Sequence, residues 1–317
     1  MRIAVTGANG FVGARTCGVL RADGHEVVAV VRRGATAPGG ATVAEAPVLD
    51  EALLRAGFRG CDAVVHLAAR VHVMRESATD PLAAFRKVNV EGTRGAYRAA
   101  CAVGARRFVF LSSVKVHGEG RAEPYVESDE PSPADPYGVS KLEAERMLAS
   151  ARAAGGSADV VVLRPPLVYG AGVGGNFRRL IRLAELAQRW PMPLGGIANR
   201  RSLVSVGNLA DVIRFMVRSE AASGATVLVS DGTDLSTSEL ICRLARALGR
   251  DARLLPCPSG ALRALTSLVG RGAEADRLVG SLTVRTDALR ALGWTPPQSV
   301  DAALDETARW WRDRSAA

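Results

Sequence analysis

The sequence predicts an α/β fold built on a doubly wound parallel sheet, with a smaller lobe formed by the C-terminal part of the chain. Three observations lead to this fold class. A glycine-rich turn joins the first apolar run to a helical pattern near the N-terminus. Continuous apolar runs then alternate with helical patterns up to Arg164, as in parallel sheets that helices cover on both faces. Beyond Arg164 the alternation becomes irregular, which indicates a second structural unit.

Composition narrows the class of protein. With 317 residues, 48% of them hydrophobic and 23% charged, the chain can bury a large core as a globular protein. No apolar run reaches about 18 residues and no basic-then-apolar leader opens the chain, so we expect a cytoplasmic protein without a membrane partner. The five cysteines form no C-x-x-C pair, which argues against a metal site.

The net charge of +9 indicates anionic ligands. The arginines are spread along the whole chain, and only 5% of the residues are aromatic, too few for obvious base-stacking platforms. We therefore expect small anionic molecules as ligands and no nucleic acid.

The first strand leads into the strongest local signal in the sequence. Arg2 to Thr6 is a β-rich run, and Gly7, Gly10 and Gly13 follow it at the start of a helical pattern. This context is typical of a Rossmann-type dinucleotide site. The first glycine permits the tight turn, the second lets backbone amides approach a pyrophosphate, and the third lets helix and strand pack closely. The phosphates would lie at the positive end of the helix.

The second strand, Glu26 to Val31, ends at Arg32 and Arg33. Sites that prefer NAD usually carry an acidic residue at this strand end, whereas an arginine accommodates the 2′-phosphate of NADP. The sequence therefore favours NADP(H) as cofactor, with NAD(H) as the alternative and a solvated arginine pair as the non-functional interpretation.

The remaining elements of the sheet follow in order. A long helix is predicted between further strands, with these bounds: strands Ala46 to Asp50, Cys61 to Leu67 and Arg107 to Leu111, and helix Asp80 to Ala102. Ligands bind beyond the carboxyl ends of parallel strands. Gly7, Ala68 and Ser113 all follow such ends, so we expect them to converge on one edge of the sheet.

The second half of the chain contributes to both the nucleotide-binding domain and the smaller lobe. The sequence predicts a loop at Glu119 to Pro136, strands at Asp159 to Leu163 and Thr226 to Ser230, and helices at Asn176 to Arg189, Ser236 to Gly249 and Val300 to Arg312. Ser236 and Glu239 have the spacing of a capping box. We expect a nucleotide-binding domain at 1–165 to which 201–249 returns, a substrate-binding lobe at 166–200 and 250–299, and a terminal helix at 300–317.

Tyr137 and Lys141 form a candidate acid/base pair. They lie four positions apart, which places them on one face of a helix beginning near Ser140. A nearby ammonium favours the phenolate, so we expect Lys141 to lower the pKa of Tyr137. A half-buried tyrosine beside a solvated lysine is the alternative. Of 41 Lys and Arg residues, only Lys87, Lys115 and Lys141 are lysines, so Lys141 stands where a compact ammonium is needed and a planar guanidinium would serve badly.

Nine motifs in order resemble the extended short-chain dehydrogenase/reductase family, above all its nucleotide-sugar branch with UDP-glucose 4-epimerase. The motifs are TGANGFVG (Thr6 to Gly13), CDAVVHLAA (Cys61 to Ala69), VNVEGT (Val88 to Thr93), FLSSVKVHG (Phe110 to Gly118), YGVSK (Tyr137 to Lys141), RPPLVYG (Arg164 to Gly170), GNF (Gly175 to Phe177), NRRSLV (Asn199 to Val204) and LGWTPP (Leu292 to Pro297). The resemblance covers nearly the whole chain and implies an enzyme.

The resemblance implies roles for individual residues. Tyr137 would be the acid/base, Lys141 would bind the nicotinamide ribose, and Ser113 would hydrogen-bond the reacting oxygen. The implied cofactor contacts are Gly7, Gly10, Phe11, Val12 and Gly13 at the pyrophosphate, Asp50 at the adenine, Ala68 and Ala69 at the ribose and Pro165 at the nicotinamide. The implied substrate contacts are Asn176, Phe177 and Arg201, with Arg277 and Lys115 as weaker candidates. His117 stands where the family usually has tyrosine, and we expect a hydrogen-bonded histidine of the core or of a loop.

The branch contains both reductases and epimerases. The run His66 to Glu76, together with SSVKV, most resembles bacterial 4-ketoreductases of UDP-2-acetamido-2,6-dideoxy sugars for surface polysaccharides. A UDP-sugar 4-epimerase with tightly bound NAD is the alternative. A reductase of an apolar ketone and a non-enzymatic cofactor sensor are further alternatives. The resemblance also implies a homodimer that pairs the helices Asp80 to Ala102 and Ser140 to Ala154.

Overall fold

The central sheet contains seven parallel strands. A computed structural model describes residues 1–47, 50–71, 80–258, 260 and 278–316. Its strands are β1 (Arg2–Thr6), β2 (Glu26–Val31), β3 (Thr42–Glu45), β4 (Ala63–His66), β5 (Arg107–Leu111), β6 (Asp159–Arg164), β7 (Leu167–Tyr169), β8 (Leu203–Ser205) and β9 (Thr226–Leu228). The large sheet has the order β3-β2-β1-β4-β5-β6-β9, and β7 pairs with β8 in a separate parallel sheet.

Strand order reverses at β1, because the chain proceeds to β2 and β3 on one side and to β4, β5 and β6 on the other. In open parallel sheets this reversal leaves a crevice at the carboxyl ends of the strands, where ligands bind. The glycine turn follows β1 and therefore lies at this crevice.

Helices cover both faces of the sheet. They are α1 (Phe11–Ala22), α2 (Glu51–Gly57), α3 (Pro81–Arg86), α4 (Gly92–Ala102), α5 (Pro136–Ala153), α6 (Gly175–Arg189), α7 (Val206–Arg218), α8 (Thr237–Ala247), α9 (Asp287–Ala291) and α10 (Val300–Ala316). The core between α1, α7 and the sheet contains Leu20 and Ile213. The core on the opposite face contains Leu54 of α2, Ala99 of α4 and Leu148 of α5.

The smaller lobe has its own core. Helices α6, α8 and α10 pack around an apolar cluster that includes Phe177, Ile181, Leu244 and Leu304. The helices present these residues at helical spacing, so each buries one face. Asp231, which follows β9, accepts hydrogen bonds from the Ser205 amide at 2.9 and 3.0 Å and thus ties the small β7–β8 sheet to the large one.

The bounds predicted from the sequence are confirmed for β1, β2 and β5, and the capping box that begins α8 is present. Of the strand predicted at Ala46 to Asp50, positions 48 and 49 lie outside the described residues, and the other three residues belong to no strand. The strand that pairs with β2 is Thr42–Glu45, a largely exposed edge strand without the apolar run that marks the buried strands.

Two helices differ from expectation. The predicted helix Asp80 to Ala102 is divided by a π turn at Lys87–Glu91 between α3 and α4. Helix α5 begins at Pro136, earlier than the expected Ser140, because the Asp135 side chain caps it and proline suits its first position. Tyr137 therefore lies inside the first turn of α5. Within the described ranges no helix is long and apolar enough to cross a bilayer.

Gly13 and Gly18 of α1 form a matched pair for testing the close approach of helix and turn. A Cβ at Gly13 would lie 2.1 Å from the carbonyl oxygen of Gly7, whereas a Cβ at Gly18 would have no neighbour within 4 Å. We expect Gly13→Ala to destabilise the protein by about 1–3 kcal/mol and Gly18→Ala to stabilise it by about 0.5–1 kcal/mol. Urea unfolding measures both. Equal effects would contradict the proposed packing role of Gly13.

Candidate active site

The glycine turn after β1 forms a cradle that fits a pyrophosphate. Gly10 is the N-cap of α1 and no side chain caps this end, so the first amides of the helix face a ligand position. Gly7 has a φ of +65°, and a Cβ there would lie 2.9 Å from the Ala68 amide nitrogen. Phe11 and Val12 are half-buried in the first turn of the helix. A dinucleotide cofactor therefore fits this turn.

The loop after β4 is fixed by a buried histidine. His66 Nδ1 lies 2.9 Å from Thr6 Oγ1 and its Nε2 lies 3.1 Å from Thr93 Oγ1. The same Thr6 hydroxyl accepts the Ala68 amide at 3.2 Å. Burial, with a smaller contribution from Lys141, lowers the pKa of His66 to about 3, so the ring is neutral. Ala68, which is predicted to contact the ribose, is thus held beside the glycine turn.

The end of β2 carries more than the two predicted arginines. Arg32 and Arg33 are exposed directly after the strand. Val31 pairs with Glu45 of β3, and Glu45 Oε1 accepts the Gly34 amide at 3.2 Å. Glu45 is not among the predicted site residues, because β3, which brings it here, lies earlier in the chain than the predicted third strand. Asp50, predicted at the adenine, caps α2 by accepting the Leu53 amide at 2.9 Å.

Ser113 and Tyr137 come together although they lie on different elements. Ser113 follows β5 and caps a 3₁₀ turn at Val114–Val116, accepting the Lys115 amide at 3.2 Å. The side chains of Ser113 and Tyr137 are close enough for hydrogen bonding by Ser113 to lower the pKa of Tyr137. Pro165 completes this corner, because its carbonyl accepts the Val114 amide at 2.9 Å. A ketone or alcohol oxygen placed between the two hydroxyls would contact both.

The pKa of Tyr137 is raised above its usual value. Burial is the main cause, the Asp135 carboxylate adds to it, and the hydrogen bond from Ser113 opposes both. The direction predicted from the sequence is therefore wrong for this structure, since desolvation outweighs any neighbouring ammonium. Tyr137 is protonated at neutral pH.

Lys141 lies one turn after Tyr137, with 2% of its surface exposed. Its Nζ donates to the Leu111 carbonyl at 2.7 Å and lies 4.5 Å from the centre of the Phe110 ring. Burial lowers the pKa of Lys141 to about 7, although Glu145 raises it. The lysine is thus anchored to the end of β5, beside the Ser113 turn.

Asn89 is a residue of the site that the sequence analysis quoted in a motif without assigning it a role. It is fully buried in the π turn, and its Nδ2 donates to Ser140 Oγ at 2.9 Å and to the Arg70 carbonyl at 3.1 Å. The backbone amide of Arg70 donates a hydrogen bond to Asn89 Oδ1 at 2.8 Å. Asn89 thereby ties the loop after β4 to the first turns of α5. The π turn itself was a signal of function, but sequence periodicity does not show it.

A buried polar network supports the site from below. Arg164 donates to both oxygens of Glu145, at 3.1 and 2.6 Å, and Ser112 donates to the same carboxylate. Arg164 also lies 3.0 Å from His117 Nε2, and His117 stacks on Tyr125. Burial, then Arg164, lowers the pKa of His117 to about 4. The expectation of a hydrogen-bonded histidine is confirmed.

The predicted substrate residues occupy different environments. Asn176 is exposed in the first turn of α6. Phe177 is fully buried and stacks on Tyr169 at 5.1 Å, so its side chain packs the lobe core and the predicted substrate contact is wrong for that side chain. Arg201 is half-buried and donates to the Gly280 carbonyl at 3.0 Å. Arg277 lies outside the described residues. Lys115 Nζ contacts two carboxylates, Glu119 and Asp135.

Within the described residues no three potential metal ligands cluster.

The model of the NAD dependent epimerase/dehydratase family matches residues 3–229. The chain belongs to this family.

This chain is similar to known proteins over almost its full length. It is 37% identical over 312 residues to UDP-glucose 4-epimerase of Vibrio cholerae, covering 97% of this chain and 94% of that protein. It is 32% identical over 311 residues to a 3-diazoavenalumate denitrifying reductase of a Streptomyces species, covering 93% and 96%. The solved structure of MoeE5 in complex with UDP-glucuronic acid and NAD superposes with a TM-score of 0.79 at 26% identity, covering 99% and 100%. The epimerase/dehydratase chain is therefore an enzyme of the extended short-chain dehydrogenase/reductase type.

The buried ammonium of Lys141 predicts a pH-dependent stability. Its folded-state pKa of about 7 is lower than the ordinary 10.5, so the cost of burying the charge is complete below pH 7 and disappears as pH rises to 10.5. We expect Lys141→Met to raise the free energy of unfolding at pH 7 by more than about 1 kcal/mol, and this gain should shrink towards pH 10.

Urea unfolding at several pH values measures the effect. Lys87→Met is the matched control because Lys87 is exposed, and its effect should not vary with pH. A Lys141→Met difference that stays constant from pH 7 to pH 10 would contradict the burial argument.

Proposed function

We propose that this enzyme uses a nicotinamide cofactor to reduce the C4 ketone of a UDP-activated sugar. Ser113 and Tyr137 would both contact the ketone oxygen. The Ser113–Tyr137 hydrogen bond at the crevice end of the sheet carries the proposal. The sequence resemblance supports a UDP-2-acetamido-2,6-dideoxy sugar of surface-polysaccharide synthesis. MoeE5, with its bound UDP-glucuronic acid and NAD, supports the UDP-sugar class and the cofactor class.

Each side chain has a defined task in this reaction. Tyr137 is protonated at neutral pH because burial raises its pKa, so it can donate a proton to the ketone oxygen. Ser113 donates a hydrogen bond to the same oxygen as negative charge develops on it. Lys141 is held by the Leu111 carbonyl at 2.7 Å, at the end of β5, and would contact the nicotinamide ribose. A bound nicotinamide cofactor supplies hydride transfer.

The glycine turn and the end of β2 would hold that cofactor. The open N-terminus of α1 would accept the pyrophosphate. Ala68 and Ala69 are the proposed ribose contacts, and Pro165, whose carbonyl accepts the Val114 amide, is the proposed nicotinamide contact. Arg32 and Arg33 favour the 2′-phosphate of NADP(H), whereas Glu45 at the neighbouring strand end favours a ribose hydroxyl and thus NAD(H). We propose NADP(H) as the preferred cofactor because two guanidinium groups oppose one carboxylate.

The lobe would bind the sugar nucleotide. Arg201 reaches the segment near Gly280 at the far side of the crevice, and its guanidinium suits a diphosphate. Asn176 begins α6 on the exposed side of the lobe and is the second proposed diphosphate contact. The substrate partner is therefore a nucleotide sugar. A homodimer is proposed from the family resemblance alone.

A UDP-sugar 4-epimerase is the second candidate, favoured by the relative from Vibrio cholerae. An epimerase removes hydride from C4 and returns it to the other face, so it retains NAD through the cycle. Two measurements separate the candidates: oxidation of NADPH with a UDP-4-keto-6-deoxy-HexNAc, and interconversion of UDP-hexoses without added cofactor. Copurified NAD(H) that resists dialysis, with no NADPH oxidation, would replace the reductase by the epimerase.

Tyr137→Phe tests the acid/base assignment. We expect turnover to fall by about 10²–10⁴-fold while cofactor affinity and the unfolding midpoint stay close to wild type, because only one hydroxyl is removed. The assay is steady-state turnover together with fluorescence titration of the cofactor.

Tyr97→Phe is the matched control. Tyr97 is buried and donates to the Ala158 carbonyl at 3.0 Å, just before β6 and hence at the opposite end of the sheet. It should lose about 1 kcal/mol of stability and keep its turnover. Wild-type turnover in Tyr137→Phe would refute the assignment.

The double variant Arg32→Ser/Arg33→Ser tests the cofactor preference. Charge-assisted hydrogen bonds to a phosphate contribute about 1.5–3 kcal/mol, so affinity for NADPH should fall about 10-fold or more with NADH affinity unchanged. Fluorescence titration with each cofactor provides the measurement. Arg309→Ser/Arg312→Ser, on the exposed side of α10, makes the same charge change elsewhere. Equal losses for NADPH and NADH in the Arg32/Arg33 variant would mean that these arginines do not read the 2′-phosphate.

A further inference from the structure

Lys115 joins the two parts of the candidate active site. Its Nζ donates to Asp135 Oδ2 and, at 2.7 Å, to Glu119 Oε1. The Lys115 side chain is 22% exposed and that of Asp135 29%, whereas that of Glu119 is 52% exposed. The contact with Asp135 is therefore the more protected of the two. Burial lowers the pKa of Lys115, but the hydrogen bonds to both carboxylates outweigh it and leave the pKa raised, so the ammonium is charged.

Asp135 uses both of its carboxylate oxygens. Oδ1 accepts the Gly138 amide at 2.6 Å and thereby caps α5, the helix that carries Tyr137. Oδ2 is the oxygen that Lys115 binds. The carboxylate is therefore held from the helix side by an amide and from the Ser113 turn by an ammonium.

The backbone of Lys115 contacts the same two elements. Its amide donates to Ser113 Oγ at 3.2 Å. Its carbonyl lies against the first turn of α5, so closely that a Cβ on Gly138 would lie 2.7 Å from that oxygen. One residue thus touches Ser113 with its amide, the start of α5 with its carbonyl, and the cap of α5 with its side chain.

The groups near Tyr137 come from the 3₁₀ turn, from α3 and from α5 with its N-cap. Ser113 of the 3₁₀ turn bonds it, the Phe85 ring of α3 packs edge-on at 6.1 Å, Lys141 lies one turn further along α5, and Asp135 precedes the helix. Among the charges, Asp135 disfavours the phenolate of Tyr137. The ammonium of Lys115 binds the carboxylate that has this effect.

We propose that Lys115 is a positioning residue, which acts through Asp135 to fix Tyr137 against Ser113 and to neutralise the carboxylate that faces the phenol. This role rests on the proposed acid/base function of Tyr137. It differs from a substrate contact, because the ammonium is engaged by Asp135 and Glu119.

The pH dependence of C4-hydroxyl oxidation by NADP⁺ or NAD⁺ tests the proposal. In that direction Tyr137 must lose its proton, so the rate rises with pH through its pKa. Lys115→Met leaves Asp135 uncompensated, which disfavours the phenolate. We expect the rise to move about 0.5–1 pH unit higher and kcat at pH 7 to fall by about 3–10-fold, with little change in KM.

Asp135→Asn gives the opposite sign. Asparagine still caps the helix, but the negative charge beside the phenol is gone, so the rise should move to lower pH. The double variant Lys115→Met/Asp135→Asn should return close to the wild-type position, because the two effects act through one contact. Lys115→Arg keeps the charge and should keep the wild-type pH profile. Arg121→Met is the matched control. It removes a positive charge from the same loop, but Arg121 pairs with Asp129 and not with Asp135, so the pH profile should not move.

Two results of the turnover assays would overturn the proposal. One is an unchanged pH profile in Lys115→Met, and the other is a shift of the same sign in Lys115→Met and Asp135→Asn.

An NMR measurement that does not require turnover tests this proposal separately from the proposed function. With tyrosine labelled by ¹³C at Cζ and the Tyr137 signal assigned from Tyr137→Phe, the signal should move in Lys115→Met and return in Lys115→Arg. If the signal responds but no nucleotide sugar is turned over, the proposed function fails and the positioning role stands. An unresponsive signal refutes the positioning role whatever the turnover.

Discussion

The ion pair between Glu145 and Arg164 fixes helix α5 on the sheet, and the candidate site depends on it. Both side chains are 8% exposed, and Arg164 donates to both carboxylate oxygens. Such a pair offsets its own desolvation only when further hydrogen bonds are present, and here Ser112 and His117 supply them. Loss of one partner would leave a buried charge and cost about 3–5 kcal/mol. Helix α5 therefore cannot slide along β6, and its first turn remains above the end of β5.

Burial then sets the chemistry of the groups that α5 brings to the crevice. Desolvation raises the pKa of Tyr137 and lowers the pKa of Lys141 to about 7, so the neutral form of each gains. The same cause keeps His66 and His117 neutral. Against this background, each remaining charge near the phenol has a large effect, because a poorly solvated site screens charges weakly. The carboxylate of Asp135 and the ammonium that binds it would therefore influence the proposed acid/base function of Tyr137.

The lobe forms the other side of the crevice and contacts the loop that follows Ser113. Gly120 lies against the Ser281 carbonyl, where a Cβ would be only 2.0 Å from the oxygen. Arg201 forms backbone hydrogen bonds with Leu235 and reaches the Gly280 carbonyl with its guanidinium. The loop that follows Ser113 thus contacts both the start of α5, through Lys115, and the lobe, through Gly120. A substrate lying across this crevice would contact one continuous stretch of chain on one side and the lobe on the other.

The sequence by itself determined the parallel sheet, the glycine turn, the position of Ser113 at a strand end and the helical spacing of Tyr137 and Lys141. These features depend on short-range patterns, namely apolar runs, turn residues and helical spacing, which neighbouring residues express directly. Only the tertiary structure decided the direction of the Tyr137 pKa, the burial of Phe177, and the contacts of Glu45, Asn89 and Lys115. Each of these depends on desolvation or on a partner from another element, such as the Ser140 that Asn89 binds from 51 positions away. A linear pattern does not contain that information, because burial and long-range pairing arise only when the elements pack.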